Sequence, residues 1–152
     1  ESPDDHEIWI VMEMLSGGTL DEAIDPDAQA SFSEPHIAYV CREMLYGIHY
    51  LHNNRVAHRD LKAPNVMMSV EGDVKLIDFG LAVDLGKSGT RTEMVGSPYW
   101  IPPEMVLRKP HSYPVDIWSM AICVLALANK HAPNYGSPLK CMFSVATKAP
   151  PT

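Results

Sequence analysis

This sequence has no pair of cysteines at C-x-x-C spacing; Cys41, Cys123 and Cys141 are scattered along it. An odd count without ligand spacing argues for reduced thiols in a reducing compartment, and against a disulfide framework or a structural zinc site. The seven histidines are dispersed and form no ligand pattern. Long hydrophobic runs are missing as well. The longest, Ile117 to Ala128, is broken only by Ser119 and is too short to span a bilayer. Positive charge is scarce: 12 Lys+Arg stand against 19 Asp+Glu, for a formal net charge of −7. That balance argues against nucleic acid or anionic membrane as a partner. No secretory leader, repeat or low-complexity tract is read, so the expected compartment is cytoplasmic. With 46% apolar and 20% charged residues, the 152 residues are enough for one packed domain with one core.

The apolar pattern is mainly helical. Ser33 is an N-cap candidate and Pro35 suits a first turn. From there Ile37, Val40, Cys41, Met44, Leu45, Ile48 and Leu51 recur at three- and four-residue steps, which predicts a helix over about 34–53 with one apolar stripe. The stretch 114–129 is apolar all round, as a buried core helix is, and Asp116 near its start is expected to cap it. Thr19 caps a short helix over 20–25. Pro103 to Leu107 and Leu139 to Thr147 predict two more. Strands are few. Asn65 to Met68 and Val74 to Ile77 flank the turn signal Glu71-Gly72-Asp73, which predicts one β-hairpin.

The chemistry lies in two short motifs. His58-Arg59-Asp60-Leu61-Lys62-Ala63-Pro64-Asn65 is followed by Asp78-Phe79-Gly80, and the hairpin carries Asn65 and Asp78 at its two ends. Taken singly, each acid could be no more than a turn or strand-end residue. Together, in this order and phase, they resemble the catalytic loop and metal loop of eukaryotic protein kinases. Lys62 makes the resemblance one to serine/threonine kinases. Met94-Val95-Gly96-Ser97-Pro98-Tyr99-Trp100-Ile101-Pro102-Pro103-Glu104 looks like the end of an activation segment. It is similar to the G-T-P-Y/F-W-M-A-P-E pattern of the PAK and sterile-twenty groups. Ile8 to Leu20 resembles their fifth strand and hinge, and Asp116-Ile117-Trp118-Ser119 the start of their central helix.

The resemblance implies ATP and Mg²⁺ as cofactors and serine or threonine of protein substrates as the phosphoryl acceptor. Asp60 would take the proton of the substrate hydroxyl, and Lys62 would offset charge on the transferring group. Asn65 and Asp78 would hold Mg²⁺, a hard cation that wants oxygen ligands. Met12 would be the gatekeeper behind adenine, while Glu13 and Leu15 would offer adenine a backbone carbonyl and N–H. Glu22 would reach a ribose hydroxyl, or merely favour the helix dipole. Arg59 would face the activation segment. His58 and Phe79 would be packing residues, the latter setting the position of Asp78. Asp116 would also hydrogen-bond the catalytic-loop backbone. Thr92, Glu93 and Ser97 are regulatory candidates. Glu93 occupies the place of the activating Thr, so it reads as a phosphate mimic, as a solvated acid, or as the neighbour of a displaced phosphosite at Thr92.

Against a complete kinase domain, the Gly-rich loop, the strand Lys and its helix Glu are not read here. The implied architecture is therefore a mainly α (α+β) kinase C-lobe with a hinge strand and a small catalytic-loop hairpin. Residues 1–18 would be the last small-lobe strand and hinge, and 19–152 an incomplete C-lobe inactive alone. The small lobe and last helices would be absent. A Rho-family small GTPase would act through other parts of the parent protein. Two other classes remain open: a pseudokinase-like scaffold, and a regulatory protein that only binds nucleotide. The chain departs from the family pattern at Pro102 and Ala121, at Ala126 where some relatives carry a substrate-binding acid, at the helix-ending Lys130, and at Ala132-Pro133.

Overall fold

A computed structural model describes residues 9–25, 27, 28, 31–86 and 89–151. It is mainly helical, with two small antiparallel sheets. In chain order the elements are α1 (Leu20–Ile24), α2 (Glu34–Asn53), β1 (Val56–Ala57), β2 (Val66–Met68), β3 (Val74–Leu76), β4 (Val83–Asp84), α3 (Pro103–Val106), α4 (Pro114–Asn129) and α5 (Pro138–Thr147). A single 3₁₀ turn, Ala63–Asn65, leads into β2.

Helix α2 has the expected bounds. Pro35 sits in its first turn and Ser33 at its N-cap, where the Ser33 backbone N–H donates to His36 Nδ1 at 3.3 Å. Its inward stripe is Val40, Met44 and Ile48, one residue per turn. These pack with Leu20 and Ile24 of α1, Leu61, Ala63 and Val66, and Met120, Cys123, Ala126 and Leu127 of α4. Leu45, expected in that stripe, is exposed instead. It lies one residue past Met44, about 100° round the helix, and off the buried line. Burial pushes the Cys123 thiol up to about 12, so this cysteine is inert rather than reactive.

The hairpin forms with Val66 opposite Leu76 and Met68 opposite Val74. A second pair, β1 with β4, joins Val56 to Asp84 and Ala57 to Val83; two-residue strands carry no period to read. The strand that the resemblance implies from Ile8 onward does not form. Ile8 lies outside the described residues. From Trp9 to Ser16 the chain has no strand, and Val11 is 94% exposed. A strand exists through its partner, and pairing begins only at Gly17, whose N–H donates to Met68 O at 2.9 Å. A Cβ on Gly17 would lie 2.7 Å from that same oxygen, so the approach requires glycine.

Helix α4 matches the expected range, but two details differ. Asp116 does not cap it. The N-cap is Tyr113, and Asp116 lies fully buried in the first turn with its carboxylate aimed at another segment. One side of α4 is also open. Ile117, Trp118 and Ala121 line a groove of about 670 Å³ with His52, Glu104 and Tyr113; periodicity marks apolar residues, not what covers them.

Three helix ends place non-glycine residues in the left-handed region: Arg55 after α2 (φ 64°), Arg108 after α3 (φ 52°) and Lys130 after α4 (φ 65°). Arg55 is exposed, and its backbone bonds, to His52 O and from Leu85 N–H, do not depend on its side chain. Arg55→Gly should therefore raise stability by about 0.5–1 kcal/mol. A higher urea midpoint at unchanged slope would show it; a lower midpoint would contradict it.

Candidate active site

The loop between β1 and β2 is built around one buried carboxylate. Asp116 accepts from the backbone N–H of His58 at 2.9 Å, from that of Arg59 at 2.8 Å, and lies 2.8 Å from His52 Nε2. These bonds hold Arg59 in the left-handed conformation (φ 67°), which a side chain rarely adopts. His52 had no place in the sequence reading. A last-turn histidine ordinarily bonds the carbonyls of its own helix, and this acid lies 64 positions away, so nothing local marks it.

His58 is fully buried. Its Nε2 donates to Ile77 O at 3.0 Å, and its Nδ1 faces the Asp60 N–H at 3.4 Å. Both nitrogens are turned inward. Phe79 rests on the His58 ring at 5.1 Å but is 51% exposed, not core.

Asp60 gathers three side chains. Its Oδ1 accepts from Ser97 Oγ at 2.8 Å, and its Oδ2 from Lys62 Nζ at 2.9 Å and Asn65 Nδ2 at 3.3 Å. Lys62 Nζ also donates to Ser97 Oγ at 3.1 Å, and Asn65 Nδ2 to the Asp60 backbone O at 2.9 Å. Asp60 and Asn65 are buried. Because Nδ2 is committed to Asp60, the Oδ1 of Asn65 is left for another partner. Gly96 lets the Ser97 segment come this close: a Cβ there would lie 2.7 Å from Arg59 O.

A second group lines a cavity of about 820 Å³: Ile10, Met12, Glu13 and Leu15 on one side, and residues 75–80, including Asp78, on the other. Asp78 also has positive φ (61°), and its Oδ1 accepts from the Gly80 N–H at 3.2 Å. It is exposed, with oxygens to spare. The Ile77 N–H donates to Asn65 O at 3.0 Å, so the two hairpin ends meet as the sequence requires. Met12 is exposed within this cavity. The Glu13 side chain reaches across to Lys75 Nζ at 2.6 Å, a bond that raises the lysine's pKa. Glu22 lies outside the cavity lining. Its carboxylate accepts from Thr19 N–H at 2.8 Å and its N–H donates to Thr19 Oγ1 at 3.2 Å, closing a capping box.

Glu93 Oε2 lies 3.4 Å from Arg59 Nη1, while Arg59 Nε donates to Leu81 O at 2.9 Å. The pair is asymmetric: the Arg59 side chain is 11% exposed, that of Glu93 58%. A hydrogen bond from its own backbone N–H is the main cause holding the Glu93 carboxyl below its ordinary range, and the Arg59 and Arg91 charges add to it. Thr92 is exposed beside it.

A buried acid ringed by a lysine, an amide and a hydroxyl, with a second acid at the mouth of an apolar cavity, suits transfer of an anionic group to a hydroxyl. The protein kinase domain model matches residues 2–148, and the chain belongs to that family. It is 55% identical over 94% of its length to the probable serine/threonine-protein kinase mkcB of Dictyostelium discoideum, covering 20% of that protein. It is 40% identical over 95% of its length to the serine/threonine-protein kinases shk1/pak1 of Schizosaccharomyces pombe and ste20 of Emericella nidulans, covering 22% and 17% of them. The chain thus spans about a fifth of the length of these relatives. Protein kinases as a family use ATP and Mg²⁺ to phosphorylate proteins. Among the described residues, no helix is long and apolar enough to cross a membrane.

Proposed function

We propose that this chain is the catalytic large-lobe portion of a PAK-like serine/threonine kinase acting on protein substrates in the cytoplasm. Residues 9–18, which form no strand, take the place of the hinge, and residues 19–152 that of the C-lobe. The observation that carries this reading is the Asp60 carboxylate with Lys62, Asn65 and Ser97 hydrogen-bonded around it.

In this reading Asp60 orients the substrate hydroxyl and takes its proton, and Lys62 faces the charge that grows on the transferring group. Asn65 Oδ1 and the Asp78 carboxylate are the oxygen donors that suit Mg²⁺. Asn65 and Asp78 would supply only part of such an ion's oxygen ligands, since among the described residues no cluster of three or more His, Cys, Asp or Glu is arranged to hold a metal. Bound Mg-ATP supplies the phosphoryl group and neutralises its charge. Met12, Glu13 and Leu15 take the adenine. Glu22 serves its helix cap rather than a ribose. A small GTPase regulates the parent protein through other segments.

A scaffold role is the second reading, favoured by the exposure of Met12 and Phe79. Nucleotide titration with and without Mg²⁺, beside a peptide phosphorylation assay on protein that includes the small lobe, separates the two. Mg²⁺-dependent binding with phosphorylation supports the kinase; binding without phosphorylation supports the scaffold.

Glu93 in this reading stands in for the activating phosphate. It offers one negative charge and two oxygens, where a phosphothreonine offers nearly two charges and three oxygens. Because the Glu93 end is exposed, the pair is screened and modest, and salt weakens it. With the small lobe present, Glu93→Gln should lower the activity of unphosphorylated enzyme several-fold, while Thr92→Ala leaves it intact. If Thr92→Ala abolishes activity and Glu93→Gln does not, Thr92 is the switch.

A further inference from the structure

Arg91 is held through both its side chain and its backbone. Its Nη2 donates to Asp84 O at 2.7 Å and its Nη1 to Thr90 O at 2.9 Å. Its backbone N–H and O form a reciprocal bridge with His111, at 2.9 and 2.8 Å. The far side of this bridge is anchored. His111 is buried, its Nδ1 donates to Lys109 O at 3.2 Å, and the Lys109 N–H donates to Glu104 O at 2.8 Å. The near side is anchored too. Asp84 ends β4, which pairs with β1, and the next residue, Leu85, is buried with its N–H on Arg55 O. Arg91 therefore joins the start of the segment after β4 to the loop that precedes α4. Two residues further on stands Glu93, opposite Arg59.

We propose that Arg91 is a built-in latch: it orders residues 89–95 without a phosphate at Thr90 or Thr92, and thereby presents Glu93 to Arg59. The inference rests on reading this stretch as an activation segment, and it deepens that reading by naming what holds the segment in place. The planar guanidinium suits the task, because its fork reaches two carbonyls at once. A lysine ammonium carries the same charge on a single nitrogen and cannot span both in the same way.

Hydrogen exchange on the 152-residue chain tests the latch, reading the His111 amide that donates to Arg91 O. Arg91→Ala should speed exchange at that amide by about tenfold or more, relative to the core amide of His58. Arg91→Lys should give an intermediate increase. Glu93→Gln and Thr92→Ala should leave it unchanged, since neither side chain takes part in the bridge. The latch is overturned if Arg91→Ala leaves the His111 amide at its original rate, or if Glu93→Gln speeds it as much, in which case the Arg59 pair orders the segment. Should Arg91→Ala unfold the chain, Arg91→Lys carries the test, and an unchanged His111 rate there overturns the latch. Exchange needs no catalysis, so this result stands apart from the phosphorylation assay.

Discussion

Asp116→Ala should lower the unfolding free energy by about 3–5 kcal/mol, the range for stripping one partner from a buried, charged hydrogen-bond network. The carboxylate is fully buried and accepts from two backbone N–H groups of the catalytic loop, with the His52 ring alongside. Alanine leaves those donors in a space from which water is excluded, and each unpaired donor costs its desolvation. It also releases Arg59 from a conformation that is unfavourable without support. Asp116→Asn keeps one acceptor oxygen and should cost about half as much or less. Urea titrations of the three proteins, with slopes compared, make the measurement. A midpoint for Asp116→Ala within error of the parent would show that the loop is held by something other than this carboxylate.

That same residue shows where the sequence was readable and where it was not. The bounds of α2 and α4 follow from Pro35 and Pro114 at their starts and from apolar spacing between, all local signals. The hairpin follows from alternation around Glu71-Gly72-Asp73. The bonds of Asp116 to the catalytic-loop backbone are as the resemblance implies, but it does not cap its helix, since the N-cap is Tyr113. The strand that the resemblance implies before Gly17 does not form, because a strand's existence depends on an edge to pair with and pairing begins only at Gly17. Phe79 and Leu45 are apolar and exposed because burial belongs to the neighbour as much as to the residue.

The candidate site divides in the same way. Asp60, Lys62 and Asn65 lie within six positions, and their convergence is largely a property of the loop itself. Ser97 joins them from 37 residues away, where only a motif could have pointed. The latch of Arg91 on Asp84 and His111 carries no local pattern at all. Glu22 lies on the expected helix, where its carboxylate closes the capping box. The spacing Thr19-x-x-Glu22 could have shown this, because it is the capping-box signature.

Asp60→Asn should remove kinase activity by about 10³-fold or more in a protein that carries this chain together with the small lobe. Two losses combine. An amide is no proton acceptor at working pH, and general base catalysis is worth about 10²–10⁴-fold. The amide also fits this pocket badly. Asp60 accepts from Ser97 Oγ on one oxygen and from Lys62 and Asn65 on the other, whereas asparagine offers one acceptor oxygen and sets an NH₂ against another donor. Ser97 Oγ and Lys62 Nζ must then reorganise, which disturbs the positioning on which phosphoryl transfer mainly depends. Nucleotide affinity should change little, because the cavity lined by Met12, Leu15 and Asp78 does not include Asp60. The loss should therefore fall on kcat rather than on the nucleotide KM. The 152-residue chain alone should show no phosphorylation that Asp60→Asn removes, since the lid over the phosphates and the lysine that orients them belong to the small lobe. A kcat for Asp60→Asn within tenfold of the parent would exclude this residue as the base. A fall in nucleotide affinity that matched the fall in kcat would instead place Asp60 in the nucleotide site.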